Sequence, residues 1–145
     1  MSDATHCLCI EVRSAAQKLT KLYDAALKDF DITITQLSQL NAVRKLGAPT
    51  LTDLSIETEL DRSTLGRNIR LMEQQGLVAM TSGQDARTRV VKLTRKGHST
   101  LRRAGPAWWQ VQSSLIDQLG PEKRQLLQEL LSDISGTANP GHTCP

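Results

Sequence analysis

The chain has 145 residues, of which 39% are hydrophobic and 23% charged, with a formal net charge of +3. This length predicts one domain with its own core, and no apolar run approaches the ~20 residues of a membrane span. The N-terminus shows no pattern of a secretion signal, so we expect a cytoplasmic protein with no membrane partner. The odd number of cysteines, three, argues against a structural disulfide framework.

The charge is distributed unevenly along the chain. Ten Lys or Arg residues but only two acidic residues lie between Arg62 and Arg103, a net charge of +8, whereas the remaining residues carry a net charge of −5. A basic segment between acidic flanks indicates a surface that binds a polyanion. A solvated charged face is the alternative, but clustering of this strength favours binding.

The first part of the chain predicts three helices. Its first 46 residues contain no Gly or Pro, and an apolar stripe at helical spacing predicts a long first helix that ends near Asp31. The patterns Thr33-x-x-Gln36 and Thr50-x-x-Asp53 are typical of capped helix starts, and they predict a second helix that ends at Gly47 and a short third one.

The middle of the chain predicts a recognition helix and a hairpin. Asp61 is a good N-cap for a fourth helix, which Gly76 ends. Two short β runs follow, at 77–82 and 89–94, and the composition from Gly83 onward suits the turn between them. Two short helices joined by a tight turn and followed by a hairpin predict a winged helix-turn-helix.

The last part of the chain returns to helical patterning. Pro106 should kink or interrupt a helix that begins after Thr94, and Gly120-Pro121 should open a last helix. We expect residues 136–145 to be a mobile tail.

The predicted fold class is mainly α with a small β-hairpin wing, a winged helix-turn-helix with a helical dimerisation lobe. The expected bounds are 1–135 for the single domain, about 34–94 for the winged helix-turn-helix, and about 5–30 and 95–135 for the dimerisation helices. These long helices have more apolar surface than so small a unit covers, so we expect a homodimer.

One face of the fourth helix suits the major groove of duplex DNA. Arg pairs bidentately with guanine, Gln with adenine, and Ser serves a base or a phosphate; the first helical turn also aims backbone amides at a phosphate. The expected DNA contacts on this helix are Arg62, Ser63, Thr64, Arg67, Arg70 and Gln74. Those in the wing are Asp85, Arg87 and Arg89, since an Arg at a hairpin tip fits a narrow minor groove and Asp85 would hold an Arg by a charge-assisted hydrogen bond. For an isolated helix, surface arginines on a solvated face would be the default interpretation.

Gly66 lies inside this fourth helix. A Gly there costs ~1 kcal/mol relative to Ala. It either lets the helix backbone approach DNA closely or is simply tolerated, and the sequence leaves both interpretations open.

Two runs of residues resemble the MarR family of bacterial transcriptional regulators. The run Met72-Glu73-Gln-Gln-Gly76-Leu77-Val78 is similar to that family's L-E-x-x-G-L-[IV] pattern, and the run from Asp85 to Gly97 is similar to its wing signature D-x-R-x5-L-T-x-x-G. The likeness in layout extends from about Cys7 to Ile134. It implies a dimer on a pseudo-palindromic operator, often repressing a neighbouring gene until a small-molecule inducer or an oxidant releases it. It also supports Arg87 as the minor-groove residue with Asp85 as its orienting partner. Glu59 departs from the Gly that many members have in the helix-turn-helix turn.

Cys9 and Cys7 are the candidate redox sensor. Both lie at the start of the first helix, where the helix dipole favours the thiolate. The register from Cys9 to Tyr23 resembles the family's organic-hydroperoxide sensors, but the second tyrosine of that subfamily falls at Ile34 here. The usual resolving cysteine of the fifth helix is missing, which leaves Cys7 or Cys144 to condense with an oxidised Cys9. An organic ligand, or inert buried thiols, are the alternatives.

A metal site is the weaker rival. Its candidate ligands are His6, Cys7, Cys9, His142 and Cys144, all near a terminus. On a helix Cys7 and Cys9 would point ~200° apart, and the spacing is no zinc pattern, so we predict no metal and no cofactor.

Other function classes have less support. The sequence contains no Gly-rich phosphate loop, no HExxH and no nucleophile elbow, so we predict no enzyme. A helical protein-interaction module would explain the amphipathic helices but not a charge of +8 confined to one segment. Of the adjacent Trp108 and Trp109, one should face the core and the other a cavity or solvent, with structural packing favoured for both.

Overall fold

The computed structural model describes residues 7–137. In this part of the chain the elements are α1 (Leu8–Leu27), a 3-10 turn (Lys28–Phe30), α2 (Ile34–Leu46), α3 (Leu51–Thr58), α4 (Arg62–Gln74), β1 (Val78–Ser82), β2 (Arg89–Leu93) and α5 (Arg95–Thr137). The predicted fold class, mainly α with a β-hairpin wing, is confirmed. The expected mobile tail falls, from residue 138 onward, outside the described residues, and so do His6, His142 and Cys144.

Local polar contacts fix where the first three helices begin or end. The 3-10 turn after α1 closes at Asp31, which has a left-handed φ of 54°. The Thr33 amide donates to Gln36 Oε1 over 3.0 Å, and the Gln36 amide donates to Thr33 Oγ1 over 3.2 Å, a complete capping box. Thr50 and Asp53 form the same arrangement at α3. The predicted end of the first helix and both predicted starts are therefore confirmed.

The core lies where α2, α3 and α4 meet the hairpin. Side chains from all three helices are completely buried there, including Leu40, Leu54 and Ile69. The two strands pair antiparallel from Val78 opposite Leu93 to Ser82 opposite Arg89, within one residue of the predicted runs. The Val91 amide donates to the Pro49 carbonyl oxygen over 2.8 Å, which fastens the hairpin to the turn between α2 and α3.

The chain divides into two compact units, Met1–Trp108 and Trp109–Pro145. The first contains the helix-turn-helix, the hairpin and every residue of the hydrophobic core. In the second, the side chains at 109–136 are all half-buried or exposed. None of the helices within residues 7–137 is long and apolar enough to cross a membrane.

Helix α5 continues through Pro106, so the interruption allowed for at that position is wrong. Pro106 removes the amide partner of the Arg102 carbonyl, but both residues are exposed, so water can satisfy that carbonyl. The non-helical residue inside α5 is Gly120, with φ 76° and ψ 166°. Glycine adopts a positive φ without a Cβ clash, and the predicted start of the last helix at Gly120-Pro121 is confirmed.

Two glutamines of α2 are buried in different circumstances. Gln36 completes the capping box, and its Nε2 donates to Gln75 Oε1 over 2.9 Å. Gln39 is 1% exposed, and neither its Nε2 nor its Oε1 has a hydrogen-bond partner in the described part of the chain. A buried amide without a partner costs ~1–3 kcal/mol.

Gln39→Met should therefore raise the free energy of unfolding by about 1–3 kcal/mol, because Met fills a similar volume without unpaired polar atoms. Urea unfolding followed by circular dichroism, at one fixed protein concentration, measures the change. Gln36→Met is the matched control and should destabilise the protein, since it removes the cap and the bond to Gln75. A loss of stability in Gln39→Met would contradict the expectation.

Candidate nucleic-acid interface

The first turn of α4 is held by Asp61. Its carboxylate accepts hydrogen bonds from the Thr64 amide over 2.8 Å and from the Thr64 hydroxyl over 2.6 Å, which confirms the predicted N-cap. The hydroxyl, followed by the amide, lowers the pKa of Asp61 below its ordinary value, and the charge of Arg67 adds to this effect. The Thr64 amide, which we expected to face a phosphate, is thus bound inside the protein, whereas Arg62 and Ser63 are exposed.

The exposed face of α4 carries the polar side chains that the sequence singled out. Leu65, Ile69 and Met72 are completely buried on the opposite face. The four exposed residues that share the outer face are Ser63, Arg67, Arg70 and Gln74. Within residues 7–137 Arg67 donates to Thr64 Oγ1 over 3.4 Å, and its guanidinium has further donors to offer a ligand.

The wing turn is ordered by Asp85. Its Oδ1 accepts a hydrogen bond from the Arg87 amide over 3.1 Å, and its carbonyl oxygen accepts one from the Thr88 amide over 2.9 Å. This arrangement is an Asx turn. Asp85 therefore orients Arg87 through the backbone and not, as expected, through a guanidinium, and the Arg87 side chain is exposed at the tip.

Glu73 joins the hairpin to α4, and Arg89 bonds across the hairpin itself. Glu73 Oε1 accepts a hydrogen bond from the Met80 amide over 3.1 Å, and Arg89 Nη2 donates to the Met80 carbonyl oxygen over 3.2 Å. Arg89 therefore lies back along β1, away from the tip where Arg87 lies. The sequence did not identify this role of Glu73, because its partner is a backbone amide seven residues away.

Thr94 and Gly97 join the end of α4 to the start of α5. Thr94 Oγ1 donates to the Gly76 carbonyl oxygen over 2.6 Å and accepts from the Gly97 amide over 3.0 Å. A Cβ at Gly97 would overlap the Leu77 carbonyl oxygen, so only glycine fits there. Thr94 and Gly97, two positions of the wing signature, therefore stabilise the fold by holding α4 and α5 together.

Little in the protein neutralises the basic segment. Within residues 7–137 one ion pair is formed, between Lys45 and Glu57 over 2.6 Å, and it lies outside that segment. The two acidic residues inside it, Glu73 and Asp85, accept hydrogen bonds from backbone amides instead. The exposed guanidiniums of α4 and the wing therefore give this side of the first unit a positive potential.

A cavity of about 570 Å³ lies beside α2 and the end of α3. Ile34, Leu37 and Trp108 line it with apolar surface, and its other lining residues are Ser38, Asn41, Ala42, Lys45, Glu57, Thr58 and Glu59. Trp108 also packs against the core, while Trp109 is 57% exposed, so the predicted divergence of the two tryptophans is confirmed. No sequence pattern marked this cavity, because its lining residues come from α2, the end of α3 and Trp108.

Cys7 and Cys9 are both free and exposed, and Cys7 is the N-cap residue of α1. Neither is a buried thiol in this chain. Among the described residues, no group of three His, Cys, Asp or Glu side chains is arranged to hold a metal ion.

Comparison with known proteins places this arrangement among transcriptional regulators. The sequence pattern of the MarR family matches residues 30–88, from the end of the 3-10 turn to the turn between β1 and β2. The HTH-type transcriptional regulator YwoH of Bacillus subtilis (strain 168) is 22% identical over 130 residues, which cover 90% of this chain and 95% of YwoH.

Solved structures agree with this result. The transcriptional regulator MosR of M. tuberculosis, crystallised in complex with DNA, is 32% identical with a TM-score of 0.78; the match covers 92% of this chain and 99% of MosR. Bordetella bronchiseptica BpsR, whose DNA binding is regulated by 6-hydroxynicotinic acid, is 24% identical with a TM-score of 0.83, and the match covers 94% of this chain and 98% of BpsR. At that identity BpsR supports the fold alone.

Proposed function

This chain belongs to the MarR family of winged helix-turn-helix transcriptional regulators, and we propose that it is a repressor that binds a pseudo-palindromic operator as a homodimer. The observation that carries the proposal is the exposed guanidinium face of α4 beside a wing with Arg87 at its tip, on a segment without internal ion pairs. The protein acts in the cytoplasm, where its operator is accessible, and it is not an enzyme. A helical protein-interaction module without DNA binding would leave this positive surface without a partner.

The DNA contacts fall into three classes. Arg67 and Gln74 on α4 read base edges in the major groove, where Arg selects guanine and Gln selects adenine. Arg87 enters the minor groove, held by the Asp85 turn. The remaining contacts orient the protein on the DNA backbone: Arg62, Ser63, Thr64, Arg70 and Arg89.

Arg67→Ala and Arg87→Ala should weaken binding in different ways. Arg67→Ala should lower the affinity ratio between operator and random duplex by 5- to 150-fold, since a bidentate base contact contributes ~1–3 kcal/mol. Arg87→Ala should weaken binding to both duplexes and reduce the salt slope by about one. Fluorescence anisotropy over a salt titration measures both quantities.

Arg124→Ala, an exposed Arg outside the basic segment, is the control and should bind as the wild type does. An unchanged affinity ratio in Arg67→Ala would show that this face of α4 does not read bases. An unchanged salt slope in Arg87→Ala would remove the wing tip from the DNA contacts.

The dimer is supported by two exposed apolar stripes. On α1 the stripe consists of Leu8, Val12, Leu19 and Leu22; on α5 after Gly120 it consists of Leu126, Leu127, Leu130, Leu131 and Ile134. Each of these side chains is 37–60% exposed in the single chain. Contiguous apolar surface of this kind marks an interface, and a second copy of the chain covers it. Residues 1–135 then form one domain, with the winged helix-turn-helix at about 34–94 between dimerisation helices at about 5–30 and 95–135.

Replacing Leu127 and Leu131 together by Asp should convert the dimer to a monomer at micromolar concentration, because each buried charge costs several kcal/mol. Sedimentation velocity measures the change. The matched control is Gln128→Asp with Ser132→Asp, the same substitutions on the opposite face of this helix. A double Leu variant that sediments as the wild-type dimer would refute the interface.

Release from the operator follows from a small ligand or from thiol oxidation. The cavity of about 570 Å³ beside Trp108 lies within the ~300–1,000 Å³ usual for ligand pockets. Its apolar lining, together with Ser38 and Asn41, suits an organic molecule with a few polar substituents. Oxidation has its target in Cys9, an exposed thiol in the first turn of α1.

Hydroperoxide treatment separates these two routes. If Cys9 is the sensor, its thiolate attacks the peroxide, forms a sulfenic acid and releases an alcohol. Mild treatment should then lower operator affinity at least tenfold, a coupling of ~1.4 kcal/mol, and a dithiol reductant should restore it. Cys9→Ser should keep its affinity, with Cys7→Ser as the control. Release that persists in Cys9→Ser would transfer the role to another thiol, and no release in the wild type would leave the cavity as the route.

A further inference from the structure

Gly66, in the second turn of α4, is not required by the protein itself. A Cβ at this position would meet no atom within 4 Å, in contrast to Gly97. Its backbone is helical and does not have a positive φ. Glycine destabilises a helix relative to alanine, so neither packing nor conformation within the described residues requires a glycine here.

This open space belongs to a cleft of about 310 Å³ between α4 and the hairpin. The residues that line it are Leu51, Gly66, Arg70, Glu73, Met80 and Arg89. Gly66 lies one turn after Ser63 and one turn before Arg70, at the edge of the exposed face of α4. A molecule that contacts that face therefore reaches the cleft along one side.

The charges of the cleft suit an anion. Two of its lining residues are arginines, and neither forms an ion pair within residues 7–137. Arg89 donates one hydrogen bond to the Met80 carbonyl, which fixes the guanidinium while leaving most of its five donors free. The only carboxylate, on Glu73, is bound to the Met80 amide. A guanidinium matches the geometry of a phosphate, and the cleft has two of them.

We propose that this cleft binds one phosphodiester of the DNA backbone between Arg70 and Arg89, and that Gly66 is its floor. Without a Cβ at this position the phosphodiester comes into contact with the α4 backbone, so that α4 lies deeper in the major groove than a helix with a side chain there could. The assignment rests on the proposed DNA-binding function and specifies one backbone contact of it.

Gly66→Ala tests the cleft, with Gly136→Ala as the control. Gly136 is also a helical glycine whose Cβ would meet nothing within 4 Å, but it lies in the last turn of α5. Binding is measured by fluorescence anisotropy on two duplexes, a random sequence and an operator selected from a random library by the wild-type protein. Urea unfolding is measured on the same samples.

Gly66→Ala should raise the urea midpoint, because alanine favours the helix, and yet weaken binding to both duplexes by about tenfold. Its affinity ratio between the two should stay unchanged, since a phosphate carries no sequence information. In an Arg70→Ala background most of the effect of Gly66→Ala should disappear, because both changes act on one contact. Gly136→Ala should bind as the wild type does.

The outcomes separate the cleft from the function on which it rests. Wild-type protein that binds neither duplex would overturn the proposed function. Wild-type binding that Gly66→Ala leaves unchanged would overturn the cleft alone. A loss confined to the selected operator would also overturn it, because that result assigns Gly66 to a base edge and not to a phosphate.

Discussion

The contact between Gly97 and the Leu77 carbonyl oxygen controls how the DNA-facing parts of the first unit are arranged. The absence of a side chain at Gly97 lets the start of α5 touch the backbone where α4 passes into β1. Thr94 bridges the same point by bonding to Gly76 and capping α5. Since α4 and β1 are also joined by Glu73, the recognition helix, the wing and the start of α5 form one rigid joint. The exposed face of α4 and the tip of the wing therefore keep a fixed position relative to each other.

The acidic residues in and next to the basic segment bond to the backbone and to a hydroxyl. A carboxylate that paired with an arginine would lower the positive potential of the surface. Glu73 and Asp85 bind backbone amides instead, and Asp61 binds an amide and a hydroxyl. Each carboxylate thus shapes the backbone that carries the arginines, and the guanidiniums remain available to a ligand.

Local interactions made much of this fold predictable from the sequence. The caps at Thr33 and Asp61 involve residues three apart, and the buried face of α4 follows from helical periodicity, so both could be inferred without knowing any neighbour. The cavity beside Trp108, the cleft beside Gly66 and the unpaired Gln39 depend on chain segments that meet only after folding. Pro106 illustrates the same limit, because its effect on α5 depends on whether water reaches the Arg102 carbonyl.

Glu59 connects the cavity to the turn between α3 and α4. This residue ends α3 with a left-handed φ of 55°, a conformation that costs a non-glycine residue ~1–2 kcal/mol, and its side chain also lines the cavity. The 13 residues of α4 begin three positions later, and at 1.5 Å per residue they form a lever ~20 Å long. A rotation of about 5° at that turn displaces the far end of α4 by ~1.7 Å, enough to take a guanidinium out of hydrogen-bonding range of a base. An occupant of the cavity that rotates this turn would therefore move the proposed base-reading face of α4 without touching any of the proposed DNA-contacting side chains.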